Sequence, residues 1–327
     1  MCLLITPFID REYEMKWVLE WFKKGFYPIM VVYGPEGCGK TRLLLESINR
    51  VRESSEYFVL YINALEERDP SRAFYGSDSV LDIILNITKG LSGVGAEVAR
   101  ALSYWFKKLV TRIGVRGKHV VIVVDDVVKA IGLDYIDVYC KKLLDLMEEL
   151  YSYNPESVTV VVTTSEGLSR ERLLKHRWAT EYLLWNLGRE EARALLESLG
   201  APSEKLDEII LYTGGNPRAI IELWRLSWDI RVWTRKYIEI ARTILSKLGD
   251  NEISYIEEII SDPDKMSSIP SSLYRLLLEY NIVIELPIRD LRIAGKPEQD
   301  RELGIGEYYA FQLPVYMHVF KELLATN

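Results

Sequence analysis

The chain has 327 residues, 48% of them hydrophobic and 27% charged, a composition that gives a globular protein a full core and at least one smaller domain. A formal net charge of −7 excludes a polycation that holds nucleic acid by bulk charge, and no apolar run reaches membrane-spanning length. Three cysteines (Cys2, Cys38, Cys140) and three histidines (His119, His176, His318) are too scattered for a disulfide framework or a zinc site.

The N-terminal stretch MCLLITPFIDRE has no basic leader and soon turns acidic, so the chain reads as cytoplasmic rather than secreted, with no membrane partner. Ile29 to Tyr33 is an apolar, β-branched run that leads directly into Gly34, Pro35, Glu36, Gly37, Cys38, Gly39, Lys40 and Thr41. That is the Gly-x-x-x-x-Gly-Lys-Thr spacing of a phosphate-binding loop, followed by a helical pattern from Thr41 to Arg52. Glycines at these positions let successive backbone N–H groups turn toward a polyphosphate. Lys40 then reaches the β and γ phosphates, Thr41 ligates Mg²⁺, and Arg42 continues the phosphate-facing run. N–H dipoles around Cys38 would favour its thiolate, although a slot that takes any small residue is the simpler reading.

Further strands are expected at Tyr57 to Asn63, His119 to Val124, Val158 to Thr164 and Thr180 to Trp185. Their nearly continuous apolar character suits strands covered on both faces. Helical patterns lie between them at Val80 to Lys89, Glu97 to Ile113 and Tyr135 to Tyr151, which predicts an α/β fold with a mainly parallel sheet. GLSGVG (90 to 95) is a turn or hinge within one crossover. Between Glu97 and Asp125 there is no acid, and Arg100, Lys107, Lys108 and Arg112 share one helix side. A phosphate backbone would fit there, but solvation explains the face more simply.

The strand VVIVVDD ends in Asp125 and Asp126. Asp125 is the candidate metal ligand, and Asp126 the candidate that orients or deprotonates an attacking water. The next strand ends in Thr163, Thr164 and Ser165, where a hydroxyl, Thr164 for choice, would sense a γ phosphate, with backbone capping as the alternative. Arg170 and Arg172 follow, placed to act as fingers on a neighbouring subunit if the protein is an oligomer. After Asn186 come three short helical patterns (Arg189 to Leu199, Ser203 to Tyr212, Pro217 to Trp228) that read as a lid. TGGNPR (213 to 218) sets Pro217 at a helix start and brings Arg218 toward the phosphates. Helices Tyr237 to Leu248, Ile253 to Ile260 and Ser271 to Tyr280 then precede strand-like Ile282 to Leu286 and Tyr308 to Leu313, a succession that suggests a winged-helix-like unit.

Together FIDREYE (8 to 14), GPEGCGKT, VVIVVDD, VVTTSE and TGGNPR resemble the archaeal ATPase family, within the STAND and AAA-like branch of P-loop proteins. The resemblance runs over nearly the whole chain. It implies an ATPase core (1–187), a helical lid (188–234) and a winged-helix-like domain (235–327). It also implies that Phe8, Arg11 and Glu12 form a box near the adenine, and that Gly215 and Pro217 form the lid motif, with the proline against the base. The sequence departs from the family in two places: Glu36 stands where arginines are common, and Asp126 stands where a glutamate usually follows the metal-binding aspartate.

The expected function is Mg²⁺-dependent binding and hydrolysis of ATP to ADP, driving a conformational switch read by a protein partner. The shorter Asp126 allows a second reading, a nucleotide-binding scaffold with little turnover. A third is an ATP-dependent DNA-binding protein that resembles replication initiators. Residues 236–327 carry ten basic and fifteen acidic side chains, a balance that weakens phosphate attraction there.

Overall fold

The computed structural model describes residues 8–9, 11–63, 74–76, 114–126, 136–164, 178–287 and 296–325. Its centre is a six-stranded sheet of β1 (Ile29–Tyr33), β2 (Tyr57–Asn63), β3 (Phe74–Gly76), β4 (His119–Asp125), β5 (Ser157–Thr164) and β6 (Ala179–Leu183), in the order β3-β2-β4-β5-β1-β6. Five strands are parallel, and β3 alone runs antiparallel, at the edge beside β2. Burial on both faces explains the unbroken Val and Ile runs: all of β1 and β5 is buried. The phosphate-loop strand β1 lies between β5 and β6, with Tyr33 opposite both Thr164 and Leu183.

Helices α1 (Glu12–Lys24) and α2 (Lys40–Val51) cover one face. Met15, Val18, Trp21 and Phe22 of α1 recur at helical spacing and join Leu43, Leu44 and Ile48 of α2 over Met30, Val32, Val121 and Val123. Each fully buried aliphatic or aromatic side chain in such a layer contributes roughly 1.5–3 kcal/mol of transfer free energy. The sequence reading missed α1 because acids and lysines fill its exposed side. It missed β3 because three residues carry no periodic signal. Helix α3 (Ile136–Tyr151) follows β4 and packs on β5. The expected helices Val80 to Lys89 and Glu97 to Ile113, GLSGVG, and the Arg100–Arg112 face lie outside the described residues.

Beyond the sheet come α4 (Arg189–Ser198), a 3-10 turn (Ser203–Lys205), α5 (Leu206–Thr213), α6 (Pro217–Arg225), α7 (Ile230–Leu245), α8 (Asp250–Ser261), a second 3-10 segment (Pro263–Ser268) and α9 (Ser271–Glu279). The antiparallel ribbon β7 (Val283–Glu285) and β8 (Tyr309–Phe311) follows, then α10 (Pro314–Ala325). Helix α7 starts at Asp229, whose carboxylate accepts from the Val232 N–H at 3.0 Å. It runs without a break through 234 and 235, and a single apolar core takes in Leu195, Ile209 and Leu223 together with Tyr237, Ile244, Val315 and Phe320. A second cluster joins Ile284, Leu286 and Ala310 of the ribbon region to Tyr33, Leu183 and Trp185. The C-terminal ribbon therefore packs at the ends of β1 and β6, beside the loop that leaves β1.

Candidate functional site

The turn from β1 to α2 is built by local sequence. Gly39 caps α2 in a left-handed conformation (φ 106°), with no side chain bonded to the cap and no acid in the first helical turn. The first N–H groups of α2 are thus unopposed by any local carboxylate and present an anion-binding end. A Cβ placed on Gly39 would meet no atom within 4 Å, so the backbone faces open space. Lys40 Nζ is buried and donates to the carbonyls of Gly34 (3.0 Å) and Pro35 (3.1 Å). The Cys38 thiol is buried and donates to Leu184 O at 3.2 Å. The side chain is closed off from solvent and packs among Met30, Val32 and Leu184.

Asp125, 3% exposed, gathers three hydroxyls. Thr41 Oγ1 and the Tyr61 phenol each donate to Oδ2 at 2.7 Å, and Thr163 Oγ1 donates to Oδ1. Burial first, then the Asp125 charge, pushes the Tyr61 pKa far up, so the phenol stays a donor. Asp126 closes β4 with φ 52°, a left-handed conformation that Asp adopts at little cost. Its N–H is fixed by Thr163 Oγ1 at 2.9 Å. Thr41 and Asp125 offer hard oxygen donors of the kind Mg²⁺ takes, and among the described residues no cluster of three or more His, Cys, Asp or Glu suits another metal.

The loop tip meets groups from far along the chain. Arg11 is buried, bonded to Glu14 at 2.6 Å, and donates to Cys38 O (3.1 Å) and Trp185 O (2.7 Å). It ties α1, the loop and the segment after β6 together. Phe8 lies under the Arg42 guanidinium, 5.8 Å from ring centroid to Cζ. Pro217 is the first residue of α6, whose cap Asn216 accepts from the Ala219 N–H. From that helix start Arg218 Nη1 reaches Glu36 Oε1 at 3.0 Å, and the Arg218 N–H donates to Gly37 O at 3.3 Å. Gly37 (φ 84°) must be glycine for a second reason: a Cβ would lie 2.5 Å from Arg218 Cβ and 2.9 Å from Asn216 Oδ1.

The structure therefore brings together Phe8, Arg11, the whole loop from Gly34 to Arg42, Asp125, Asp126, Pro217 and Arg218. Thr164 is buried at the end of β5, and its neighbour Thr163 bonds both the Asp125 carboxylate and the Asp126 N–H. Ser165, Arg170 and Arg172 lie outside the described residues. Tyr61 and Gln312 escaped the sequence reading. Tyr61 is one apolar-run residue among many on β2, and Gln312, whose Oε1 accepts from the Glu36 N–H at 3.1 Å, is 276 residues from its partner.

The sequence profile of an ATPase domain predominantly from Archaea matches residues 8–223. An uncharacterized ATP-binding protein of Pyrococcus horikoshii is 25% identical over 322 residues, covering 89% of this chain and 97% of the relative. An uncharacterized ATP-binding protein of Pyrococcus abyssi is 26% identical over 336 residues, covering 89% and 96%. Among solved structures, the Aeropyrum pernix Orc1 protein in complex with DNA is similar at a TM-score of 0.41 and 15% identity, over 99% of this chain and 95% of that one. A likeness of that size carries no functional argument.

Proposed function

The chain belongs to the family of ATPase domains found predominantly in Archaea, and we propose that it binds Mg-ATP at the phosphate loop and hydrolyses it to drive a conformational switch. The observation that carries this reading is the uncapped start of α2 beside a buried Lys40 ammonium, with Thr41 Oγ1 2.7 Å from the Asp125 carboxylate. Incoming phosphates would replace the Gly34 and Pro35 carbonyls as partners of Lys40. Phe8, Pro217 and Arg42 are then placed around the base and the phosphates. Mg²⁺ held by Thr41 and Asp125 would neutralise charge on the β and γ oxygens.

Asp126 orients the attacking water and receives its proton, Thr164 is the candidate γ-phosphate sensor, and Arg218 exchanges its exposed pairing with Glu36 for the γ phosphate. In this scheme residues 1–187 form the core and 188–234 the lid. The winged-helix-like unit, 235–327, moves with the lid because α7 joins the two.

Calorimetry with Mg-ATP, together with phosphate release from the wild type, Lys40→Ala and Asp126→Ala, tests the reading. We expect binding and turnover in the wild type. Lys40→Ala should lose about 10–100-fold in affinity, as expected for a charged hydrogen-bond donor, and Asp126→Ala should bind without turnover. Binding without release in the wild type would favour the scaffold reading, and no binding would overturn both. The same assay with duplex and single-stranded DNA tests a role on DNA, which the acidic balance of 236–327 disfavours.

A further inference from the structure

Three buried carboxamides form a chain of hydrogen bonds that holds the two peptides flanking Glu36 in the phosphate loop. The Glu36 N–H donates to Gln312 Oε1 at 3.1 Å. The Gln312 carbonyl accepts from Asn186 Nδ2 at 3.4 Å, Asn186 Oδ1 accepts from Asn216 Nδ2 at 2.8 Å, and Asn216 Nδ2 donates to Glu36 O at 3.0 Å. The circuit closes on the residue where it began. Asn186, Asn216 and Gln312 are 6%, 1% and 2% exposed, and they come from the segment after β6, the cap of α6 and the turn between β8 and α10.

The orientation of each amide is dictated by its partners. Glu36 N–H can only donate, so Gln312 must offer its oxygen. The Gln312 carbonyl can only accept, so Asn186 must offer its nitrogen. Apolar side chains would bury the same area without the desolvation cost of three amides, so the ring fixes a particular arrangement of loop, lid and ribbon. Gln312 also holds the ribbon directly. Its N–H donates to Ile282 O at 2.9 Å, and its Nε2 donates to Asn281 Oδ1 at 3.4 Å.

We propose that Gln312 is a positioning residue that transmits the state of the phosphate loop to the C-terminal ribbon through the Glu36 amide. The inference rests on the ATP-binding reading above. When phosphates enter and Lys40 leaves the Gly34 and Pro35 carbonyls, the peptides at 35 and 36 must shift. Close packing at Tyr33, Trp185, Ile284 and Ala310 leaves the ribbon two outcomes, to follow Gln312 or to let go of the loop. Arg218, paired with Glu36 Oε1, reports the same peptide to the lid. Glu36 is thus held through its N–H, its carbonyl and its carboxylate at once, by two different parts of the chain.

Hydrogen–deuterium exchange on the full chain tests this, with wild type, Gln312→Met and Gln312→Ala, each without nucleotide and with saturating Mg-ATP. Methionine keeps most of the volume and removes both the acceptor for the Glu36 N–H and the Nε2 donor to Asn281, so it separates side-chain hydrogen bonding from packing. Without nucleotide, both variants should exchange the 34–38 segment about fivefold faster, the effect of losing one ordinary hydrogen bond. With Mg-ATP, exchange in 281–286 and 309–313 should change in the wild type and stay unresponsive in the variants. Unchanged loop exchange in Gln312→Met, or a ribbon response that survives the substitution, would overturn the coupling while leaving ATP binding intact. A wild-type ribbon that ignores a nucleotide shown by calorimetry to occupy the loop would do the same. If calorimetry shows no uptake at all, the functional reading fails and the coupling fails with it.

Discussion

Alanine at Gly37 and alanine at Gly39 should have opposite consequences. Both glycines have positive φ, 84° and 106°, so either substitution incurs about 1–2 kcal/mol of backbone strain. Only Gly37 adds a collision, because its Cβ would fall 2.5 Å from Arg218 Cβ, 2.9 Å from Arg218 Cδ and 2.9 Å from Asn216 Oδ1. Arg218 Cδ can swing aside, but Arg218 Cβ is fixed by the α6 backbone and Asn216 Oδ1 by its bond from the Ala219 N–H, so α6 must retreat, at a further cost of about 1–3 kcal/mol. Gly37→Ala should therefore lose about 2–5 kcal/mol in the nucleotide-free protein, and Gly39→Ala about 1–2 kcal/mol. For ligand binding the order reverses. The Gly39 Cβ enters the open space before α2, where a phosphate must approach the N–H groups, so Gly39→Ala should abolish Mg-ATP binding. Gly37→Ala should keep part of it, because its collision lies on the lid side. Guanidinium denaturation gives the first comparison, provided the slope is unchanged, and calorimetry gives the second. Equal losses of stability, or tight Mg-ATP binding by Gly39→Ala, would refute the geometry.

Three further outcomes are expected. Arg218→Ala removes exposed ion pairs with Glu36 and Glu222 (the Arg218 side chain is 59% exposed), so the unfolding free energy without nucleotide should fall by less than about 1 kcal/mol, while phosphate release falls at least tenfold; a normal turnover rate would remove Arg218 from the mechanism. Tyr61→Phe deletes one of the three hydroxyls on Asp125 without leaving a buried polar atom of its own, which should lower stability by about 1.5–3 kcal/mol; no change in the denaturation midpoint would mean that Thr41 and Thr163 alone satisfy the carboxylate. His318, stacked on Tyr212 with ring centroids 4.7 Å apart, has its pKa lowered by burial, a trend that its bond to Leu211 O opposes and Lys321 reinforces. The unfolded chain therefore binds a proton more readily, and this contribution to stability is complete above the ordinary value of 6.5 and declines as pH falls below it. His318→Phe should flatten that part of the pH 7 to pH 5 stability difference, and identical slopes in the two proteins would exclude His318 as its source.

Wherever neighbouring residues decide the outcome, the sequence was sufficient. The eight-residue loop, the apolar runs that became β1, β2, β4 and β5, and the paired acids after Val124 depend on local backbone geometry and on burial of both faces of a strand. Each leaves a periodic or fixed-spacing trace. Proline and glycine placed the start of α6 in the same way, since Asn216, Pro217 and the preceding glycines act within one turn. Most segment ends moved by one to three residues because caps and sheet pairing, not composition, set them. Helix α7 began well before its expected start because the Asp229 cap and the burial of Trp233 extend it N-terminally.

Tertiary structure alone decided what surrounds the loop. Arg11 bonds to Trp185 across 174 positions and Glu36 to Gln312 across 276, and no rule of spacing connects residues so far apart. Their contacts exist because the sheet order sets β1 between β5 and β6 and because the apolar faces of Ile284 and Ala310 pack on Tyr33 and Trp185. Non-directional hydrophobic burial selects that arrangement. The polar groups it encloses must then find partners among whatever lies within hydrogen-bond reach, and in this protein those partners are Asn186, Asn216 and Gln312.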